Sequence, residues 1–170
     1  MRVGIAFGSN LGDRLLHLRQ ARACVRASPL LAPPILTSSV YVTSPVDCPS
    51  GSGDFLNAVI EAELIGEPVA LLRDLHACEV GLGRESSPSS PLLRNAPRII
   101  DLDILYAGDL EITSGPLILP HPRVARRRFV LAPLAEIRPT LILPGQTKTV
   151  AQLLKKLPPG DSAEPLDATW

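Results

Sequence analysis

The segment Arg98-Ile99-Ile100-Asp101-Leu102-Asp103-Ile104-Leu105 leaves the chain few options. Side chains on a strand alternate between two faces, so Ile100, Leu102 and Ile104 share one face and Asp101 and Asp103 share the other. A strand over residues 98–106 must then lie in a sheet with one face on an apolar core. Its other face presents two carboxylates one step apart. Carboxylates that close repel each other. A hard cation is the usual compensation, because Mg²⁺ takes one or two carboxylates together with phosphate oxygens. Two solvated aspartates on an exposed sheet face are the plain alternative. Arg84, Arg94 and Arg98 upstream, with His121 and Arg127 downstream, favour a polyphosphate site instead. Most of the other arginines at positions 123–128 read as a solvated basic turn.

Around this segment the periodicity predicts a definite order. Val3, Ile5 and Phe7 alternate with Gly4, Ala6 and Gly8, a strand with one bulky and one nearly bare face. Asp13 suits a helix N-cap, followed by Leu15, Leu18, Ala21 and Val25 at helical spacing. Residues 28–34 read as a loop, 35–43 as a second strand and 55–64 as a third. Pro68 opens a second helix, closed by Gly81 and Gly83. After the acidic strand come a short strand at 110–113, an apolar stretch at 129–137, a possible strand at 140–143 and a short helix at 150–157. Strand, helix, strand, strand, helix, strand is the ferredoxin-like order. The expected class is α+β: a mostly antiparallel sheet with helices packed on one face and long active-site loops. A single domain is expected over residues 1–157, with a loosely ordered tail at 158–170.

Composition then removes several functions. The 170 residues carry a net charge of zero, so no global field draws in nucleic acid or a membrane surface. Only 4% are aromatic, too few for a base-stacking platform. An RNA-binding module is further disfavoured by the acidic strand, which would repel phosphate. No stretch approaches the ~20 apolar residues of a membrane span, and the first residues lack a signal-peptide run. Cys24, Cys48 and Cys78 are odd in number and far apart, and read as free thiols of a reducing compartment. A cytoplasmic location follows. Gly8-Ser9-Asn10-Leu11-Gly12 is neither a Walker loop nor a dinucleotide fingerprint.

Several segments, in order, resemble the 6-hydroxymethyl-7,8-dihydropterin pyrophosphokinase family. They are Gly8-Ser9-Asn10-Leu11-Gly12-Asp13, Phe55-Leu56-Asn57-Ala58, Pro97-Arg98-Ile99-Ile100-Asp101-Leu102-Asp103-Ile104, and Pro120-His121-Pro122 with Arg127 and Phe129-Val130-Leu131-Ala132-Pro133-Leu134. The resemblance implies ATP as co-substrate, two Mg²⁺ ions held by Asp101 and Asp103, and transfer of pyrophosphate to a pterin alcohol in folate biosynthesis. It implies Arg84, Arg98, Asp101 and Asp103 as catalytic residues. His76, Glu79, Arg84, Arg94, Arg98, His121 and Arg127 would contact ATP. Thr43, Ser44, Pro45 and Val46 would line the pterin pocket, Phe55 and Phe129 would sandwich the ring, and Asn57 would bond its edge. The expected partners are these two small molecules, with no nucleic acid or membrane, and the expected state is a monomer.

Two departures accompany the resemblance. Asn95-Ala96 stands where the family has Trp-Gly, and Ser86 to Ser90 lengthen the loop. The loop at 84–97 is expected to close only over bound substrates, through its arginines. A non-catalytic ligand-binding domain of the same ancestry is the rival, opposed by retention of Arg98, Asp101, Asp103 and His121.

Overall fold

The computed structural model describes residues 1–46, 53–84 and 98–170. Six strands form one sheet: β1 (Arg2–Ser9), β2 (Leu31–Thr37), β3 (Val40–Thr43), β4 (Phe55–Leu64), β5 (Asp101–Ala107) and β6 (Ala163–Leu166). The order is β5-β1-β4-β3-β6, with β2 also on β4, and every pairing is antiparallel. The helices are α1 (Arg14–Arg26), α2 (Pro68–Gly81), α3 (Arg128–Ile137) and α4 (Val150–Lys156).

Local chemistry starts the helices where the periodicity predicts. The Asp13 carboxylate accepts from the Leu16 N–H at 3.0 Å and caps α1. Pro68 opens α2, and Thr149 with Gln152 closes a capping box on α4. Alternation along β1, β4 and β5 puts Val3, Ile5, Phe7, Leu56, Ala58, Ile60, Leu102 and Ile104 into one core with Leu18, Leu71 and Leu75 of α1 and α2. This is the ferredoxin-like layer with its two helices on one face. On the opposite face Val59 and Leu105 pack with Val130, Leu131 and Leu134 of α3 and Leu153 of α4. That face is covered in part, leaving β1, β4 and β5 open beside α3.

Several expectations need correction. The strand at 35–43 is two strands, because Ser38 turns its backbone and hydroxyl to Val59 and interrupts the ladder. Residues 28–34 are not all loop, since β2 begins at Leu31. Pro33 and Pro34 lack the N–H that a ladder needs, and the register slips between Ala32 and Leu36.

The thiols of Cys24 and Cys78 are not free. They form a disulfide between α1 and α2, with Cα atoms 6.1 Å apart, so thiol chemistry no longer argues for a reducing compartment. The pairing arises because both helices lie side by side on one sheet face, 54 residues apart in sequence. Cys48 lies outside the described residues.

Within residues 158–170, Ala163–Leu166 form β6 and Trp170 is buried to 5% exposure, through contacts made with distant parts of the chain. The short strands at 110–113 and 140–143 reduce to single bridges, Ile112 to Leu119 and Ile142 to Thr149. No helix among the described residues is long and apolar enough to cross a membrane.

Candidate active site

The open face carries a pocket of about 730 Å³, its mouth included. Its floor is the bare face of β1, Ala6 and Gly8. A Cβ on Gly8 would stand 3.0 Å from the Asn57 side-chain oxygen, so the small residue lets the two strands present a shared polar surface. One end of the pocket is apolar, with Phe55, Phe129 and Val46. Asn57 is 6% exposed there, and its amide donates to the Thr43 hydroxyl at 2.7 Å. The other end is charged.

In that charged end Asp101 Oδ1 accepts from Arg98 at 2.7 Å and from Arg84 at 3.1 Å. Asp103 Oδ2 has Arg127 at 3.8 Å and His121 Nε2 at 3.9 Å, too far for hydrogen bonds. Desolvation first, then the Asp101 charge, pushes the Asp103 carboxyl up to about 6, against the pull of Arg127, Arg98 and Arg84. A cation bound beside the two carboxylates would relieve their repulsion. Among the described residues no third acid or histidine completes a metal cluster. Two carboxylates are nonetheless the donor set that Mg²⁺ takes when phosphate supplies the rest, so the residues fit that ion.

His121 is brought to β5 by its own N–H, which donates to the Leu105 carbonyl at 2.8 Å. Burial, then Arg127 and Arg123, lower the imidazole to about 4, so it is neutral at pH 7. Nδ1 accepts from the Arg123 N–H at 3.2 Å, which leaves the ring proton on Nε2, facing the cleft. Arg127 also lies over the Phe129 ring at 5.2 Å, joining the charged and apolar ends.

Most predicted residues converge here. Thr43, Ser44, Val46, Phe55, Asn57, Arg98, Asp101, Asp103, Arg127 and Phe129 line the pocket, and Arg84 and His121 reach its acids. Pro45 and His76 are exposed and do not themselves line the pocket. Glu79 is 1% exposed and lies beneath the site. Its carboxylate pairs with Arg84 and accepts from the Leu102 N–H at 2.7 Å, which suits positioning better than direct contact. Arg94 and the remainder of its loop, 85–97, fall outside the described residues.

The sequence reading missed the pocket floor and the work of Ser9 and Asn10. The bare alternation of Gly4, Ala6 and Gly8 was the available signal for the floor. The Ser9 hydroxyl donates to the Ile99 carbonyl at 2.6 Å, and Asn10 Oδ1 accepts from the Arg98 N–H at 2.7 Å. The first turn therefore clamps the backbone that carries Arg98.

Charge massed in this way, next to an apolar slot, suits a polyanion and a flat ring held together. The class is a phosphoryl-transfer enzyme on a ferredoxin-like scaffold. Residues 4–139 match the family profile of 7,8-dihydro-6-hydroxymethylpterin-pyrophosphokinase. A 2-amino-4-hydroxy-6-hydroxymethyldihydropteridine pyrophosphokinase of Bacillus subtilis is 41% identical over 78% of this chain and 75% of its own. One of the same description from Methylorubrum extorquens is 35% identical over 93% and 94%. A mitochondrial folate synthesis bifunctional protein of Arabidopsis thaliana is 36% identical, but this chain spans only 23% of it. The fold is shared with the Plasmodium falciparum HPPK-DHPS wild type with pteroate, at TM-score 0.69, 14% identity, and coverage of 91% of this chain and 42% of that one. The chain belongs to the 7,8-dihydro-6-hydroxymethylpterin-pyrophosphokinase family.

Proposed function

We propose that this chain transfers a pyrophosphoryl group from ATP to 6-hydroxymethyl-7,8-dihydropterin, giving the pterin diphosphate and AMP. The observation that carries the reading is the union, in one pocket, of the acids and arginines of β5 with the Phe55, Asn57 and Phe129 slot. The pterin ring lies between Phe55 and Phe129, and Asn57 bonds its polar edge. Its hydroxymethyl oxygen then points along β1 toward Asp101 and Asp103.

The hydroxymethyl oxygen attacks the β-phosphorus, the bond from that phosphorus to the α–β bridging oxygen breaks, and the hydroxyl proton passes to solvent. Arg84, Arg98 and Arg127 hold phosphate oxygens and take up charge as the bond breaks. Neutral His121 donates from Nε2 to a phosphate oxygen. Asp101 and Asp103 would hold Mg²⁺, two ions in the full reading, which when bound neutralises phosphate charge and acidifies a nearby hydroxyl. Positioning and electrostatics carry the acceleration, as in other phosphoryl transfers.

The test is AMP formation from ATP and Mg²⁺ that depends on added pterin. Asp101→Asn and Asp103→Asn should each lower turnover about 100-fold or more, the scale of losing one preorganised charge-stabilising group. Metal-free thermal stability should hold or rise in Asp103→Asn, because the substitution relieves repulsion. Wild-type turnover in both variants refutes the metal assignment, and pterin-independent AMP refutes the reaction.

A further inference from the structure

Residues 162–170 reach the pocket although none of them lines it. β6 pairs with β3 at Val40–Leu166, Tyr41–Pro165, Val42–Glu164 and Thr43–Ala163. One residue further, the Ser162 N–H donates to Ser44 Oγ at 3.2 Å. Thr43 and Ser44 are pocket wall, and the Thr43 hydroxyl is the acceptor that orients the Asn57 amide. β3 has four residues and only three pairs to β4, so β6 supplies its other ladder.

The segment is tied down beyond the strand. The Trp170 indole N–H donates to the Ser38 carbonyl at 2.7 Å, just ahead of β3. Its ring meets the Phe7 ring edge-on at 5.3 Å, and Phe7 belongs to the pocket floor strand. Arg22 lies over the indole at 5.2 Å, and Arg19 donates twice to the Thr169 carbonyl, at 3.1 and 2.6 Å. The segment thus grips the chain on both sides of β3, at Ser38 and at Ser44. By contrast Arg98, Asp101, Asp103, His121 and Arg127 belong to β5 and to the segments on either side of it, where Arg98 pairs with Asp101 and Arg127 faces Asp103.

We propose that Ser162 and Trp170 are positioning residues for the acceptor alcohol. They fix the Thr43–Ser44 wall, and through it Asn57, so that the terminal segment sets affinity for the ring and leaves the nucleotide end alone. The assignment of that ring as a pterin rests on the function proposed above. The mechanical part, β3 held by residues 162–170, does not.

Trp170→Ala in the full chain should raise KM for the pterin about 5- to 30-fold, the factor carried by a few lost contacts. KM for ATP should stay within about twofold. Ser162→Pro removes the one N–H given to Ser44 and sits in an exposed stretch, so it should repeat the effect more weakly with an unchanged melting temperature. Trp170→Phe, which restores the ring but not its donor, should fall between Trp170→Ala and wild type. Amide hydrogen exchange should quicken in β3 and stay unchanged in β5 for Trp170→Ala.

A lowered melting temperature with both KM values unchanged, or both KM values rising together, overturns the positioning role. Unchanged exchange in β3 overturns the strap itself. If wild-type protein gives no pterin-dependent AMP, the proposed reaction fails, and the exchange measurement still decides whether the segment holds β3.

Discussion

Asn57 is buried, and its amide group is already directed by Thr43. Its carbonyl oxygen lies over the bare Gly8 backbone at the pocket floor. A side chain held that firmly can discriminate between ring edges, because a mismatched ligand leaves a buried polar atom unpaired at a cost of roughly 1–3 kcal/mol. Asn57→Ala should therefore weaken pterin binding about 5- to 150-fold and leave nucleotide binding close to wild type. Titration calorimetry with each ligand separately is the measurement. Equal losses for both would make Asn57 a structural residue. Asp101 and Asp103 show the same sensitivity to place. Arg84 and Arg98 hold Asp101, while burial first and then the Asp101 charge push Asp103 up to about 6.

At the scale of elements, α2 matters to the site through its last turn. Glu79 accepts from the Leu102 N–H, pins β5 to α2 and holds Arg84 beside Asp101. Burial, the largest influence, pushes its carboxyl up to about 7, opposed by the Leu102 N–H and by Arg84. Glu79→Ala leaves the Leu102 N–H without its acceptor and should cost about 1–3 kcal/mol in urea unfolding. Glu79→Gln keeps an acceptor oxygen there but gives up the charge beside Arg84. It should keep most of the stability and show a raised KM for ATP. If both variants unfold alike, the Leu102 bond contributes nothing measurable. The turn after β1 works on the same strand from the other side, where Ser9 and Asn10 hold the backbone at Ile99 and Arg98.

Across the whole molecule the disulfide joins two helices that the core already packs together. Closing a loop of sequence separation 54 limits the unfolded chain, and such a cross-link contributes about 2–4 kcal/mol. Cys24→Ser or Cys78→Ser should lower unfolding stability by about that amount. Turnover at temperatures below the transition should persist, since neither cysteine touches the pocket. Oxidised and reduced wild type unfolding at one urea concentration would show that the bond contributes no stability.

What could be read from residues alone was local in origin. Alternation in β1, β4 and β5 is a property of successive residues, as are the Asp13 cap and the Pro68 start, so β1, β4 and the two helix starts fall where the pattern puts them, while β5 begins three residues later than expected, at Asp101. The two aspartates share a face for the same reason, and Gly4, Ala6 and Gly8 give β1 its nearly bare face. Features that depend on distant partners left no local trace. Ser38 breaks a strand because Val59 and Trp170 claim its backbone and side chain. Cys24 meets Cys78 because two helices share a face, and residues rich in Pro and Asp become β6 because β3 needed a second ladder. Glu79 read as a ligand by position, yet packing buried it and turned it toward Leu102 and Arg84. Periodicity reports which face a residue occupies; only the folded chain decides what lies opposite that face.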